Sequence, residues 1–206
     1  HPVIAGVGLF HTHPFLEGAT KMADKNTSLV SAAKPTATGV VRIAPIGTAL
    51  PTDAKTPLDA AFAKTGYIGE DGVENAPERE TSEQKAFGGD TVMILNTGYK
   101  ETFKWKFLQS LDVDVLKAVY GAENVTEKAG VISILHNGKD LPRAVFVLEI
   151  VLSGGKIKRL VIPEGQITEL SAVSYKDGEV TGYEVTMTTY PDAAGNNVYE
   201  YISSAK

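Results

Sequence analysis

The sequence predicts a mainly β protein: a β-sandwich or barrel-like fold with one flanking α-helix, a long loop and an N-terminal arm. Three observations lead there. From residue 99 onward, short stretches alternate apolar and polar residues, the period of a strand with one buried face. They are joined by "HNGKD", "SGG", "PEG", "YKDGE" and "PDAAGNN", all rich in the Gly, Asn and Asp that turns require. Only "SLDVDVLKAVYG" (110–121) changes to a helical period. Short strands at roughly ten-residue spacing with a single helix predict one sandwich or barrel domain.

In chain order, residues 1–21 hold three of the four histidines and only two charged side chains, Glu17 and Lys21, before Met22 opens "MADKNTSL". They are expected to be an extension outside the core fold, either upstream sequence or an addition, leaving 22–206 as the domain. Residues 22–57 predict an extended arm around a first strand, "TGVVRIAPI" (38–46), because Pro35, Pro45, Pro51 and Pro57 exclude a helix. "PLDAAFAKTG" (57–66) has Pro at a first helical position and Gly at the end, and predicts one or two helical turns. Residues 69–90 carry seven acids against Arg79 and Lys85 and predict a long acidic loop.

"YKETFKWKFLQ" (99–109) is the clearest strand, with Tyr99, Phe103, Trp105 and Phe107 on one face, Glu101 as the exception, and lysines on the other. In the helix, Val115, Leu116 and Val119 share a face, Ser110 or Asp112 can cap the start, and Gly121 ends it. Six strands are expected after it: 130–138, 143–155, 156–163, 167–175, 179–190 and 197–203.

Composition narrows the function classes. The absence of cysteine removes disulfides, thiolate metal sites and cysteine nucleophiles. A net charge of −5, with "KIKR" (156–159) the longest basic grouping, argues against gripping a nucleic-acid backbone. A protein that lets DNA pass carries this sign. The longest uncharged apolar run, "PVIAGVGLF" (2–10), is about half a membrane span and has no basic residue before it, so neither a span nor a signal peptide is expected.

Tests for chemistry are negative. Starting a calcium loop at Asp71 puts Val73 at the third ligand position and Ala76 where the turn needs Gly. His1, His11 and His13 could hold a metal, but only Glu17 lies near them in sequence. His136 sits beside a turn, "HNG", as a rim residue. "FGGD" and "SGGK" match no phosphate-cradle pattern. No catalytic residue, metal site or cofactor is expected. A proline-studded arm and a long charged segment are instead the equipment of assembly, since excursions of this size in a compact domain commonly bind another chain.

The order "GYIGEDGVEN", "RETSEQKAFGGDTV", "YKETFKWKFLQSLDVDVLKAVYG" and "KRLVIPEGQITELSAVSYKDGEVTGYEVTMTTYPDAAGNNVYEYI" resembles the major tail tube protein of long-tailed phages of Gram-positive bacteria, from Met22 to Ile202. The resemblance implies a virion structural subunit, assembled in the host cytoplasm. Six copies would close into a ring whose inner sheets form a barrel lumen. Stacked rings would form the tube through which the genome is ejected, DNA passing without specific binding, with other tail proteins at the tube ends and no membrane partner. The flanking helix corresponds to 112–120, the N-terminal arm to ring-to-ring contacts, and 69–90 to a long loop or hairpin reaching a neighbouring subunit. In that segment Glu74, Glu78, Arg79, Glu80, Glu83 and Lys85 would supply charge pairs for register and Phe87 an aromatic anchor. Glu149 and Glu184 interrupt apolar strands and are candidate lumen-facing acids. The alternative reading is a monomeric β-sandwich module that recognises a carbohydrate or protein, with aromatic residues clustered at one loop end. A hydrolase with an acid pair is the remaining rival.

Overall fold

Among the residues that the computed structural model describes, 30–35 and 39–203, the chain runs β1 (Ala33–Pro35), β2 (Val41–Pro45), β3 (Ala63–Lys64), β4 (Ile68–Lys85), β5 (Thr91–Phe107), α1 (Val113–Tyr120), β6 (Val125–Lys128), β7 (Val131–Ile134), β8 (Ala144–Leu152), β9 (Lys156–Leu170), β10 (Tyr183–Thr189) and β11 (Tyr199–Ile202). Apart from Val30, these residues belong to one unit that begins at Ser31. The extension expected at 1–21, with His1, His11 and His13, lies outside the described residues.

Nine strands form one antiparallel sheet in the order β3-β2-β8-β9-β10-β5-β4, and β6 and β7 form a separate hairpin. β1 continues the line of β2 along β8, and β11 continues the line of β10 along β9. Among the described residues the path is open, with β3 and β4 at its ends.

β8 shows why the sheet has two cores. Its sequence AVFVLEIVL is nearly continuous in apolar residues, as a strand buried on both faces must be. Phe146 and Leu148 enter the larger core with Phe103, Trp105 and Phe107 of β5 and Val185 and Met187 of β10. Val145 and Val147 enter a smaller one with Ala44, Phe62 and Val161. In the larger core the Trp105 ring meets Phe107 edge-on at 5.6 Å and Phe146 at 6.2 Å. α1 covers that core with Val115, Leu116 and Val119. Asp112 caps the helix, its Oδ1 accepting from the N–H groups of Asp114 at 2.8 Å and Val115 at 3.4 Å, and Gly121 ends it at φ 92°.

Three expectations are corrected. Residues 57–66 are not helical: Asp59 closes a single turn by accepting from Ala61 and Phe62, and Ala63–Lys64 then pairs with β2. Burying Phe62 in the smaller core stabilises by about 2 kcal/mol, which outweighs local helix propensity.

"PEG" (163–165) is not a turn, because β9 runs through it and the strand expected at 167–175 is its second half, ending at Leu170. Pro163 is tolerated because the β8–β9 register is irregular between Ala144 and Phe146, and on the other side Pro163 falls between the β11 and β10 pairings. Gly165 serves close packing: a Cβ there would collide with Met187 Sδ and come within 2.9 Å of Phe146.

The acidic stretch 69–90 is not a loop. It is most of β4 and the turn after it, paired with β5 from Val73 to Lys85 with bulges after Glu80 and Gln84.

Candidate functional site

The β4–β5 ribbon begins in the core and leaves it. Trp105 opposite Val73 and Phe103 opposite Asn75 are buried, but from Ala76 to Leu95 every residue of the ribbon is exposed. The pairing continues outward to Lys85 opposite Thr91, a projection of about 33 Å at ~3.3 Å per residue. At the turn, Ala86 accepts from Gly89 N–H at 3.0 Å and donates to Asp90 at 2.8 Å. Gly88 and Gly89 take φ 117° and 102°, a region that disfavours other residues.

Cross-strand pairing explains how an acidic segment forms a strand. Glu74 lies opposite Lys104 and Glu78 opposite Lys100, so the acids of β4 face the lysines of β5. Arg79 stacks over Tyr99 at 5.4 Å. Glu101, the exception in the β5 pattern, is buried and accepts from Asn75 Nδ2 at 2.8 Å and Tyr99 Oη at 2.9 Å. Burial of the phenol, with Glu101 second, raises the Tyr99 pKa. Glu83 accepts from Thr91 Oγ1 at 3.1 Å, while Glu80 lies opposite Gly98.

Phe87 sits at the tip, fully exposed. Beside it on the return strand are Val92, Met93, Ile94 and Leu95, 65, 55, 64 and 43% exposed, with Met93 and Leu95 on one face of the ribbon and Ile94 on the other, and none covered among the described residues. The sequence reading missed these four. The run "VMIL" looks like an ordinary core strand, and only its position beyond Tyr99 marks it as projecting. Of the seven contact residues expected from the sequence, Glu78, Arg79, Glu80, Glu83, Lys85 and Phe87 lie on the projecting part of the hairpin, and Glu74 lies at its root within the sheet.

The two acids expected at a lumen occupy different surroundings. Glu184 lies on the polar face of β10, opposite Lys106, and its carboxylate accepts from Lys104 Nζ at 2.8 Å and Ser171 Oγ at 3.0 Å. Both bonds lower its pKa, and the same pair raises that of Lys104. Lys100, Thr102, Lys104 and Lys106 of β5, Thr186 and Thr188 of β10, and Thr168 and Glu169 of β9 continue this face, with Thr168 and Thr188 hydroxyls 2.9 Å apart. Glu149 instead lies on the smaller-core side, held by Arg159 and only 16% exposed.

A cavity of about 690 Å³ lies between the end of α1, the segment 135–141 and β9. His136 lines it and stacks on Tyr120 with ring centroids 4.4 Å apart. It is exposed, as expected of a rim residue, and it hydrogen-bonds no serine or threonine among the described residues. Burial pushes the Tyr120 pKa up to about 12, so the phenol stays protonated. Among the described residues no group of three His, Asp or Glu side chains could hold a metal ion, and no helix is long and apolar enough to cross a membrane.

A family model described as "Phage tail tube protein" matches residues 22–206. No curated protein matches the chain. Among solved structures, a chain described as "Virion of native gene transfer agent (GTA) particle" is similar at a TM-score of 0.40 and 9% identity, over 83% of this chain and 99% of that one.

Proposed function

The chain belongs to the phage tail tube protein family, whose members are structural, non-enzymatic parts of the virion, and from that premise we propose that six copies close into rings that stack into the conduit for genome ejection. The observation that carries this reading is the hairpin. Its tip exposes Phe87 and Val92–Leu95 with nothing among the described residues to cover them, and a chain this acidic, at −5, does not offset such exposure by binding nucleic acid. Another copy covers it. The open sheet supports the same reading, since β3 and β4 leave edges that pairing around a closed ring would satisfy.

The polar face of β5, β10 and the end of β9 is the proposed lumen wall, and Glu184 is carried forward as a lumen-facing acid. Glu149 is not, because on that same face of the sheet Arg159 ties it under the segment around Asp53, where it is only 16% exposed. On the proposed wall, with the start of β4, Glu74, Glu78, Glu169 and Glu184 face Lys100, Lys104 and Lys106. Pairs such as Lys104–Glu184 leave no free basic excess to retain phosphates, so duplex DNA passes unbound. Other tail proteins would cap the tube ends. The sequence resemblance supports a long-tailed phage of a Gram-positive host, with the subunit assembled in the host cytoplasm.

Electron microscopy of the purified full chain at high concentration tests the reading. Six-fold rings or tubes are expected. A protein that stays monomeric, the behaviour of a carbohydrate- or protein-binding module, contradicts it.

A further inference from the structure

The hairpin tip has a counterpart at the other end of the strand order. Between β2, β3 and α1 lies a groove of about 420 Å³ whose walls include Ile43, Ile46, Ala63, Ala118, Leu141 and Pro142. Its alanines leave room for a ring, and Ile46 at the rim is 53% exposed. We propose that this groove receives the hairpin tip of a second copy of the chain, with Phe87 as the inserted side chain. The proposal rests on the tube-subunit reading and names the surface that its contact arm uses.

The length of the hairpin makes the contact intermolecular. Its root lies near the groove, since only residues 65–67 separate β3 from β4, but its tip projects away from the sheet. The hairpin is a continuously paired ribbon with its turn about 33 Å out, so its tip cannot fold back into its own groove. Each copy is then donor at its hairpin tip and acceptor at its groove. Such a heterologous contact repeats around a ring or along a stack and leaves no tip uncovered except at the ends.

Charge agrees with the apolar match. The tip carries Lys85 and Asp90, and the groove carries Asp114 and Lys117. None of the four forms an ion pair among the described residues, whereas Arg143, which also lines the groove, is already held by Glu164. Opposite charges beside an aromatic anchor set the register of an interface more than its strength.

The absence of native cysteine permits a direct test. Ala86→Cys, next to the retained Phe87, and Ala63→Cys are introduced together into the full chain, which is treated with a short thiol-to-thiol cross-linker and run under denaturing conditions. The tip site is exposed and Ala63 is half-buried in the groove wall, and circular dichroism checks that the variant folds. The expected result is a ladder of dimers, trimers and larger species, with each single variant remaining one monomer band. A double variant that forms rings or tubes in the microscope but gives no ladder overturns the docking and leaves the tube reading standing. If the untreated parent chain never assembles, both fall. A second arm reads the charges: Asp90→Lys weakens assembly at least several-fold and adding Lys117→Glu restores it, whereas failure of that rescue contradicts the register.

Discussion

Arg159 places Nε and Nη2 on a single oxygen of Glu149, at 3.0 and 2.6 Å, while its Nη1 donates to the backbone carbonyl of Asp53 at 2.8 Å. One guanidinium, 3% exposed, thus ties β8 to β9 and fastens the segment before Phe62 over the smaller core. Breaking such a pair from one side leaves a buried charge alone. Glu149→Ala is expected to cost about 3 kcal/mol, read as a lower urea midpoint, and the double variant Glu149→Ala, Arg159→Met is expected to recover part of the loss. A single variant as stable as the parent would show that the pair contributes nothing.

Asp53 makes the same segment sensitive to acid. Hydrogen bonds from the Thr56 hydroxyl and from the N–H groups of Thr56 and Lys55 lower its pKa from 3.8 to about 2. A carboxylate depressed in the folded state contributes stability that is complete above its unfolded pKa and is lost as pH falls through the folded one. The melting temperature should therefore fall between about pH 4 and pH 2, and Asp53→Asn should flatten that limb relative to the parent. Identical slopes in the two proteins would remove Asp53 from the account.

Gly165→Ala is expected to destabilise by about 1–3 kcal/mol, because the added methyl must displace Met187 and Phe146 in a packed core. The comparison that isolates packing is Gly154→Ala. Nothing lies near a Cβ there, and the cost should come only from its φ of 76°. Thermal unfolding of both variants checks this, and equal losses would contradict a packing role for Gly165.

The sequence made legible what depends on local pattern. The helix appeared where Val115, Leu116 and Val119 shared a face between Asp112 and Gly121, and β5, β8 and β10 appeared from alternation or continuous apolar runs. Gly165 was misread because a glycine needed for close packing and one needed for a turn look alike in sequence. The segment 57–66 was misread because Phe62 is captured by β2 and β8, partners distant in sequence. β4 was hidden because its acids are matched by lysines well downstream in the chain, Glu74 by Lys104 and Glu78 by Lys100. At the candidate site, the charged residues of the hairpin and Phe87 could be read, but the exposure of Val92–Leu95 and the groove beside Ala63 depend on where the core ends, which only the folded chain reveals.

The central claim is that the projecting hairpin exists for assembly and not for the fold. Replacing residues 80–98 by an Asn-Gly turn that joins Arg79 to Tyr99, which already lie opposite each other, removes the tip while keeping every buried contact of β4 and β5. Sedimentation of this variant beside the parent chain, with thermal unfolding as a check on folding, is the most direct measurement. The account predicts a folded monomer of nearly unchanged stability under conditions where the parent forms rings or tubes, and a shortened chain that assembles like the parent would contradict it.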